Sequence, residues 1–292
     1  MAARILDGRA IAAEIREELK ERISRLPAGV TPGLVAVVVG EDPSAASYLK
    51  GIARGCEAVG IRHQTVALPA DCSQTQLQHA LAELNGDRLV HGIILQLPLP
   101  RHLDALRAES AVAPEKDIDG TNPVSAGRLL LGEKAFYPST AHGVQELLVR
   151  SGYSPEGRHV VICGRSNIVG KPLAAILMQK HRGANATVTV CHTGTPDMAT
   201  FTRSADIVVA AIGRPRAITA DMIRPGAIVI DVGVNQGEDP ETGKPRLVGD
   251  VDYDAVAEVA AAITPVPGGT GPVTTAVLLS NTVSAAEQQT SA

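Results

Sequence analysis

HVVICGRSNIVGKP, residues 159 to 172, decides the fold. An apolar, β-branched run ends at Cys163, glycine follows at once at Gly164, and a helical pattern opens at Gly170. Such a run without polar alternation suits a strand buried on both faces, and a strand that turns straight into a helix is half of a parallel crossover. The same alternation recurs on either side. LVAVVVG (34–40) precedes SAASYLKGIARGCEAVG, HGIILQLP (91–98) precedes HLDALRAE, and ATVTVCH, DIVVAAIG and AIVIDVGVN follow the helix from residue 170. Together they predict an α/β chain of two doubly wound domains with a cleft between them. Residues 120–145 are rich in Gly, Pro and Ser and read as a linker plus the start of a bridging helix, VQELLVR. The first domain is expected over 1–138, completed by a C-terminal helix over 270–292, and the second over 139–269.

Composition narrows the partners. The 292 residues are 45% hydrophobic, enough for two cores, and the net charge of -4 comes without a block of like charge. With 2% aromatic residues and no Trp, base-stacking platforms are disfavoured. No nucleic-acid partner is expected, and a small molecule is. Cys56, Cys72, Cys163 and Cys191 lack metal-ligand spacing and read as reduced and mostly buried, with no metal site. The N-terminal stretch reads as an amphipathic helix without an apolar signal core, and no run reaches membrane-spanning length. A soluble, cytoplasmic protein is expected.

TPVPGGTGPVTT, residues 264–275, packs three prolines and three glycines just before the last helix. It reads as a stretch where neither strand nor helix forms, a stiff, bare loop lining a site; an ordinary turn needs one or two such residues. In open α/β sheets ligands bind beyond the carboxyl ends of the strands, where Gly40, Gln96, Gly164, His192, Gly213 and Asn235 fall.

GRSNIVGKP departs from G-x-G-x-x-G, yet it has glycine for the tight turn and a helix N-terminus for a phosphate. Followed by further strands, it is a candidate dinucleotide site. A reader of NAD's ribose would put an acid at the end of the next strand, but VCHTGT offers none. Arg165 and Ser166 suit a 2'-phosphate, which favours NADP; the alternative for Arg165 is a solvated surface charge. Tyr48 is either a core ring or a ligand contact. Gln96 places a polar side chain at the end of a buried strand, where it needs a partner. Of Asp117 and Asp119 in PEKDIDG, one suits a turn and the other a two-point pairing with a pterin edge.

In order and spacing, S-x-x-Y, QLPLP, PEKDIDG, GRSNIVGKP, AIVIDVGVN and TPVPGGTGP resemble the methylenetetrahydrofolate dehydrogenase/cyclohydrolase (FolD) family over nearly the whole chain. The resemblance implies a Rossmann-like NAD(P)-binding second domain, a homodimer, tetrahydrofolate substrates, and NADP-dependent oxidation of 5,10-methylenetetrahydrofolate followed by hydrolysis to 10-formyltetrahydrofolate. It implies a folate pocket of Tyr48, Gln96, Leu97, Pro98 and Asp119, closed by Pro267, Gly268 and Gly269. It implies a cofactor site of Gly164, Arg165, Ser166, Ile168, Val169, His192, Thr193, Gly213 and Val234.

The departures are informative. The family's Y-x-x-x-K is Tyr48-Leu49-Lys50-Gly51-Ile52 here, so Ile52 stands where the general acid/base lysine is expected. Lys50 and Arg54 lie ~200° around the helix from position 52 and do not substitute for it. Thr193-Gly194 replaces a Ser followed by a cation, which weakens the grip on the 2'-phosphate. Thr121, Ser125, Ala141, Thr270 and Val273 are further departures, expected to reshape the pocket. Three activities fit: a dehydrogenase with weak or lost cyclohydrolase, a fully bifunctional enzyme, and a non-catalytic folate-binding paralogue.

Overall fold

A computed structural model describes residues 2–40, 43–238 and 245–290. The chain divides into two compact units, Ala13–Ser139 with Thr275–Ala292, and Met1–Ala12 with Thr140–Thr274. Each holds a parallel sheet.

Along the chain run β1 (Arg4–Ile5), α1 (Gly8–Ser24), β2 (Gly33–Val39), α2 (Pro43–Val59), β3 (Arg62–Leu68), α3 (Gln74–Gly86), β4 (Gly92–Leu95), α4 (Ala105–Glu109) and α5 (Pro123–Leu131). Then come α6 (Ser139–Arg150), β5 (His159–Cys163), α7 (Gly170–Leu177), β6 (Thr187–Cys191), α8 (Met198–Thr202), β7 (Ile207–Ala210) and β8 (Ile228–Asp231). A hairpin of β9 (Asn235–Glu238) and β10 (Pro245–Val248), α9 (Tyr253–Ala257), β11 (Ala262–Ile263) and α10 (Thr270–Thr290) complete it.

The smaller sheet has the order β3-β2-β4. Val35, Val37, Ile93 and Leu95 pack on Leu77 and Leu81 of α3, whose start is fixed by a capping box between Ser73 and Gln76. On α2, Ile52, Gly55, Cys56 and Val59 form the buried face, spaced as a helical stripe requires. Gly55 lets α10 approach, since a Cβ there would meet Leu279 at 3.0 Å.

The larger sheet has the order β1-β11-β8-β7-β5-β6. Val160, Val161, Ile162 and Cys163 have no exposed surface, as expected of a central strand covered on both faces. From β5 the chain moves outward to β6 and then returns to β7 on the other side. That reversal marks the carboxyl edge between β5 and β7 as the place for a ligand.

Four expectations change. The first residues do not belong with the smaller sheet: Arg4 and Ile5 pair with Ala262 and Ile263 and extend the larger one. The 120–145 crossing contains the helix α5, which Asn122 caps through the Val124 amide, Pro123 opens and Gly132 ends at φ 74. The last helix begins at Thr270, where it was expected, so the Gly/Pro stretch read as free of helix in fact contributes its first turns. Pro272 lies in its first turn, where no amide donor is required. Finally, Gln96 to Pro98 lie past the end of β4, and the Leu97–Pro98 peptide is cis, as is Val266–Pro267.

Candidate active site

In the smaller unit, the loop after β4 and the turn at 117–122 carry the candidates. Asp117, 2% exposed, is the turn-former. Its Oδ1 accepts from the Thr121 amide at 3.1 Å and its Oδ2 from the Asn122 amide at 2.9 Å. The hydroxyls of Thr121 and Ser125 add to these, so two of the departures serve Asp117. Ile118 is pinned by Asn281 of α10, whose Nδ2 donates to its carbonyl at 2.8 Å. Gly120 must be glycine: its φ is 64, and a Cβ would lie 2.7 Å from the Phe136 carbonyl oxygen.

This turn presents Asp119. Burial pushes its carboxyl up to about 6, helped by the charges of Asp117 and Glu109 and opposed by Ser139. The Ser139 Oγ itself makes no hydrogen bond within normal geometry, and the Ser139 backbone amide is the other group that lowers the Asp119 pKa. Tyr48 shares the site. Burial raises its hydroxyl pKa, and the Asp119 charge adds to the rise. The residue as a whole is 37% exposed, since a long ring can be wet along one side and dry at its tip. The phenol keeps its proton at neutral pH. One turn further along α2, Ile52 has no exposed surface. Gln96 finds its partner locally, with Nε2 donating to the Leu97 carbonyl at 2.8 Å.

In the larger unit, the turn after β5 is built on two glycines. A Cβ on Gly164 would lie 2.1 Å from the Ala211 carbonyl oxygen, and one on Gly170 would lie 2.1 Å from the Gly164 carbonyl oxygen. The turn therefore closes tightly on itself and on the loop after β7 without the G-x-G-x-x-G spacing. Ser166 Oγ accepts from the Val169 amide at 3.1 Å, which bends the chain into α7. Arg165 and Ile168 are exposed and Val169 is buried. After β6, His192 Nδ1 accepts from the Gly194 amide at 3.0 Å, and Thr193 points to solvent. Gly213 and Val234 follow β7 and β8, so all these candidates share the carboxyl edge of one parallel sheet. A tight glycine cradle, a helix N-terminus and an exposed arginine beside it fit a dinucleotide.

A pocket of about 180 Å³ in the same unit brings Val234 together with Pro267, Gly268 and Gly269. Arg9 also lines it, and nothing in the sequence reading had singled out this arginine. The available signal was DGR: Asp7 Oδ1 accepts from the Arg9 amide at 2.8 Å and starts α1, and a Cβ on Gly8 would lie 1.7 Å from the Gly269 carbonyl oxygen. Of the remaining departures, Ala141 and Val273 are fully buried and Thr270 Oγ1 donates to the Asp231 carbonyl at 3.2 Å. They pack and brace the fold.

Comparison with known proteins shows the family and the fold. The family described as "Tetrahydrofolate dehydrogenase/cyclohydrolase, catalytic domain" matches residues 6–119, and its "NAD(P)-binding domain" matches residues 138–290. A "Bifunctional protein FolD" of Moorella thermoacetica is 50% identical over 289 residues, covering 99% of this chain and 100% of that relative. The crystal structure of the bifunctional FolD enzyme of Campylobacter jejuni superposes with a TM-score of 0.92 at 42% identity, covering 98% of this chain and 99% of that one. The Trypanosoma brucei FolD, solved with NADP and an inhibitor, gives a TM-score of 0.93 at 40% identity and covers 100% of both chains. This chain belongs to the tetrahydrofolate dehydrogenase/cyclohydrolase family.

Proposed function

We propose that this enzyme oxidises 5,10-methylenetetrahydrofolate to 5,10-methenyltetrahydrofolate with NADP, and that its hydrolysis of the methenyl product is weak or lost. Tyr48, Gln96, Leu97, Pro98 and Asp119 hold the folate, with Asp119 on the pterin edge. The turn from Gly164 to Val169, with His192, Thr193, Gly213 and Val234, holds the cofactor. Pro267, Gly268 and Gly269 contribute to the folate side. The domains follow the two units, and the reading includes a cytoplasmic homodimer, which light scattering would test.

NADP supplies the hydride acceptor. Hydride loss from the methylene carbon leaves a cation shared with the adjoining ring nitrogens, so the protein need only orient the reacting carbon. Hydrolysis demands more: a water must lose a proton and a ring nitrogen must gain one. The observation that carries the split is Ile52, without exposed surface or a titratable group at the lysine position. Tyr48 cannot take over as base, because its raised pKa keeps it protonated. Asp119 titrates near 6, but its carboxylate is committed to the pterin.

A fully bifunctional enzyme is the second reading, favoured by the name of the 50% identical relative. Both half-reactions measured on the purified protein decide. Dehydrogenation with methenyl hydrolysis near the spontaneous rate supports the proposal, whereas efficient hydrolysis supports the alternative. Absence of any NADP-dependent oxidation would leave a folate-binding paralogue.

A further inference from the structure

A buried carboxylate pair joins the loops at the carboxyl edge of the larger sheet. Asp250 has no exposed surface. Its Oδ2 accepts from the Ile212 and Gly213 amides at 2.5 and 2.8 Å, and its Oδ1 from the Arg214 amide and Asn235 Nδ2, both at 2.9 Å. Successive backbone amides aimed at one anion form the kind of concavity that elsewhere receives a phosphate, and here the chain's own carboxylate fills it. Asp231, 2% exposed at the end of β8, faces it. Its Oδ1 accepts from the Gly233 amide at 2.9 Å and from the amide of Asp250 itself at 3.0 Å, and its Oδ2 from the Val251 amide at 2.9 Å.

Two glycines make the pairing possible. A Cβ on Gly249 would lie 1.8 Å from Asp231 Oδ2, and one on Gly233 would lie 2.3 Å from the Asp250 carboxyl carbon. Neither glycine has a positive φ, so close approach alone excludes a side chain. The main chain of Asp231 extends the network: its amide donates to Thr264 Oγ1 at 2.7 Å, and its carbonyl accepts from Thr270 Oγ1. One connected set of bonds thus fixes the loop after β7, the loop after β8 and both flanks of the PVPGG segment, residues 265–269.

Neither carboxylate has a task in the chemistry above. We propose that Asp250 is the positioning residue for the nicotinamide half of the NADP site, holding residues 211–214 and 233–235 in one register without touching the cofactor. The strand order supports the choice of half. With the pyrophosphate at the turn after β5, the loops after β7 and β8 lie on the side away from β6 and from the adenosine end. Filling the amide concavity has a second effect. It withdraws the amides of Ile212, Gly213 and Arg214 from competition for the cofactor phosphates, which leaves the Gly164 turn as their seat.

This inference rests on the NADP reading, and the test separates the two. Asp250→Asn keeps the shape and removes the charge and one acceptor oxygen. Asp206→Asn serves as control. Its carboxylate braces the opposite, amino end of the sheet, accepting from the His159 amide at 2.8 Å and from Arg224 at 2.6 Å. Thermal midpoints, NADP dissociation constants, and kcat and KM for each substrate are measured on both. Both variants should melt earlier, but only Asp250→Asn should lower kcat, by about 10- to 100-fold, since small misplacements at a hydride-transfer site cost that much. NADP KM should rise about fivefold, with folate KM within about twofold of the parent. A folded Asp250→Asn with kcat and NADP KM within about twofold of the parent overturns the proposal, as does an equal loss of kcat in Asp206→Asn. Should Asp250→Asn fail to fold, Asn235→Ala, which deletes one of the four donors, decides: a kcat fall of about threefold or more supports positioning, and a smaller one overturns it. Failure of the unmodified protein to bind NADP overturns the cofactor reading and this inference together.

Discussion

Replacing Ile52 by lysine tests whether one side chain separates the two half-reactions. Ile52 begins the buried stripe of α2 that continues through Gly55, Cys56 and Val59. Losing its burial costs about 1.5–3 kcal/mol. A fully buried ammonium would have its pKa lowered by about three units, another ~4 kcal/mol. Together these approach the whole stability of an ordinary domain, ~5–15 kcal/mol. Geometry reduces the cost. Helical side chains lean toward the N-terminus, so a lysine at 52 extends toward Tyr48, which is 37% exposed, and its methylenes cover apolar surface while the amine reaches the site. A net cost of about 2–4 kcal/mol follows, or roughly 5–15 °C in midpoint. General acid/base help is worth about two to four orders of magnitude. Ile52→Lys should therefore raise methenyl hydrolysis at least about tenfold above the parent, followed as loss of the methenyl absorbance with the spontaneous rate subtracted. The rate should climb with pH as the amine deprotonates. A folded Ile52→Lys that hydrolyses no faster than the parent would refute the reasoning. Robust hydrolysis by the parent that survives Ile52→Ala would show that another group moves the proton.

Four further outcomes are expected. Burial lifts the Asp119 carboxyl to about 6, so on the proposed pairing of the pterin with its ionised form folate KM should fall as pH rises through that value, and Asp119→Asn should abolish the inflection and weaken folate use by ~1.5–3 kcal/mol with NADP affinity unchanged. Folding has the opposite sign: the raised carboxyl stabilises the fold below its unfolded value and loses that contribution as pH passes its folded one, so Asp119→Asn should flatten the decline in midpoint above about pH 4. NADP should bind more tightly than NAD by only about fivefold, and Arg165→Ala should erase the difference; equal use of both cofactors by the parent would contradict the role given to Arg165. Gly249→Ala should destabilise the protein by more than about 3 kcal/mol, since its Cβ would fall 1.8 Å from Asp231 Oδ2; a midpoint near the parent's would mean that the loop yields easily.

The strands most legible in the sequence were those whose residues report burial on both faces, and the edge strand in ATVTVCH was read from its β-branched Val and Thr. LVAVVV, GIIL, VVIC, IVVA and IVI are unbroken apolar runs, and each lies in a strand of a parallel sheet. β3 escaped because RHQTVAL lies at the edge of its sheet and its polar residues face water. β1 is too short to show a period, and NQGE of the hairpin has no apolar face at all. α5 was hidden by the same Asn, Pro and Gly that cap it, which read as a linker when the Leu-rich middle is ignored. The local geometry of contiguous candidate motifs could be read directly, because a turn such as GRSNIVG encodes its own closure. The Asp231–Asp250 pairing could not, since its partners come from four segments and each acid alone resembles a surface charge.

Ile52 joins the readable and the unreadable parts of the site. The sequence marks it as a lost proton carrier, whereas its burial marks it as a gained core residue, and the two effects act on different quantities. Burial of an isoleucine contributes about 1.5–3 kcal/mol to folding of the smaller unit. Loss of general acid/base help raises the hydrolytic barrier by about 3–5 kcal/mol. Hydride transfer draws on neither, because the cation it leaves is stabilised within the folate ring. On the proposed assignment, a well-buried isoleucine at the lysine position, with Tyr48, Gln96, Asp119 and the glycine cradle kept for the ligands, would shift the ratio of the two half-reactions and strengthen the fold at the same time.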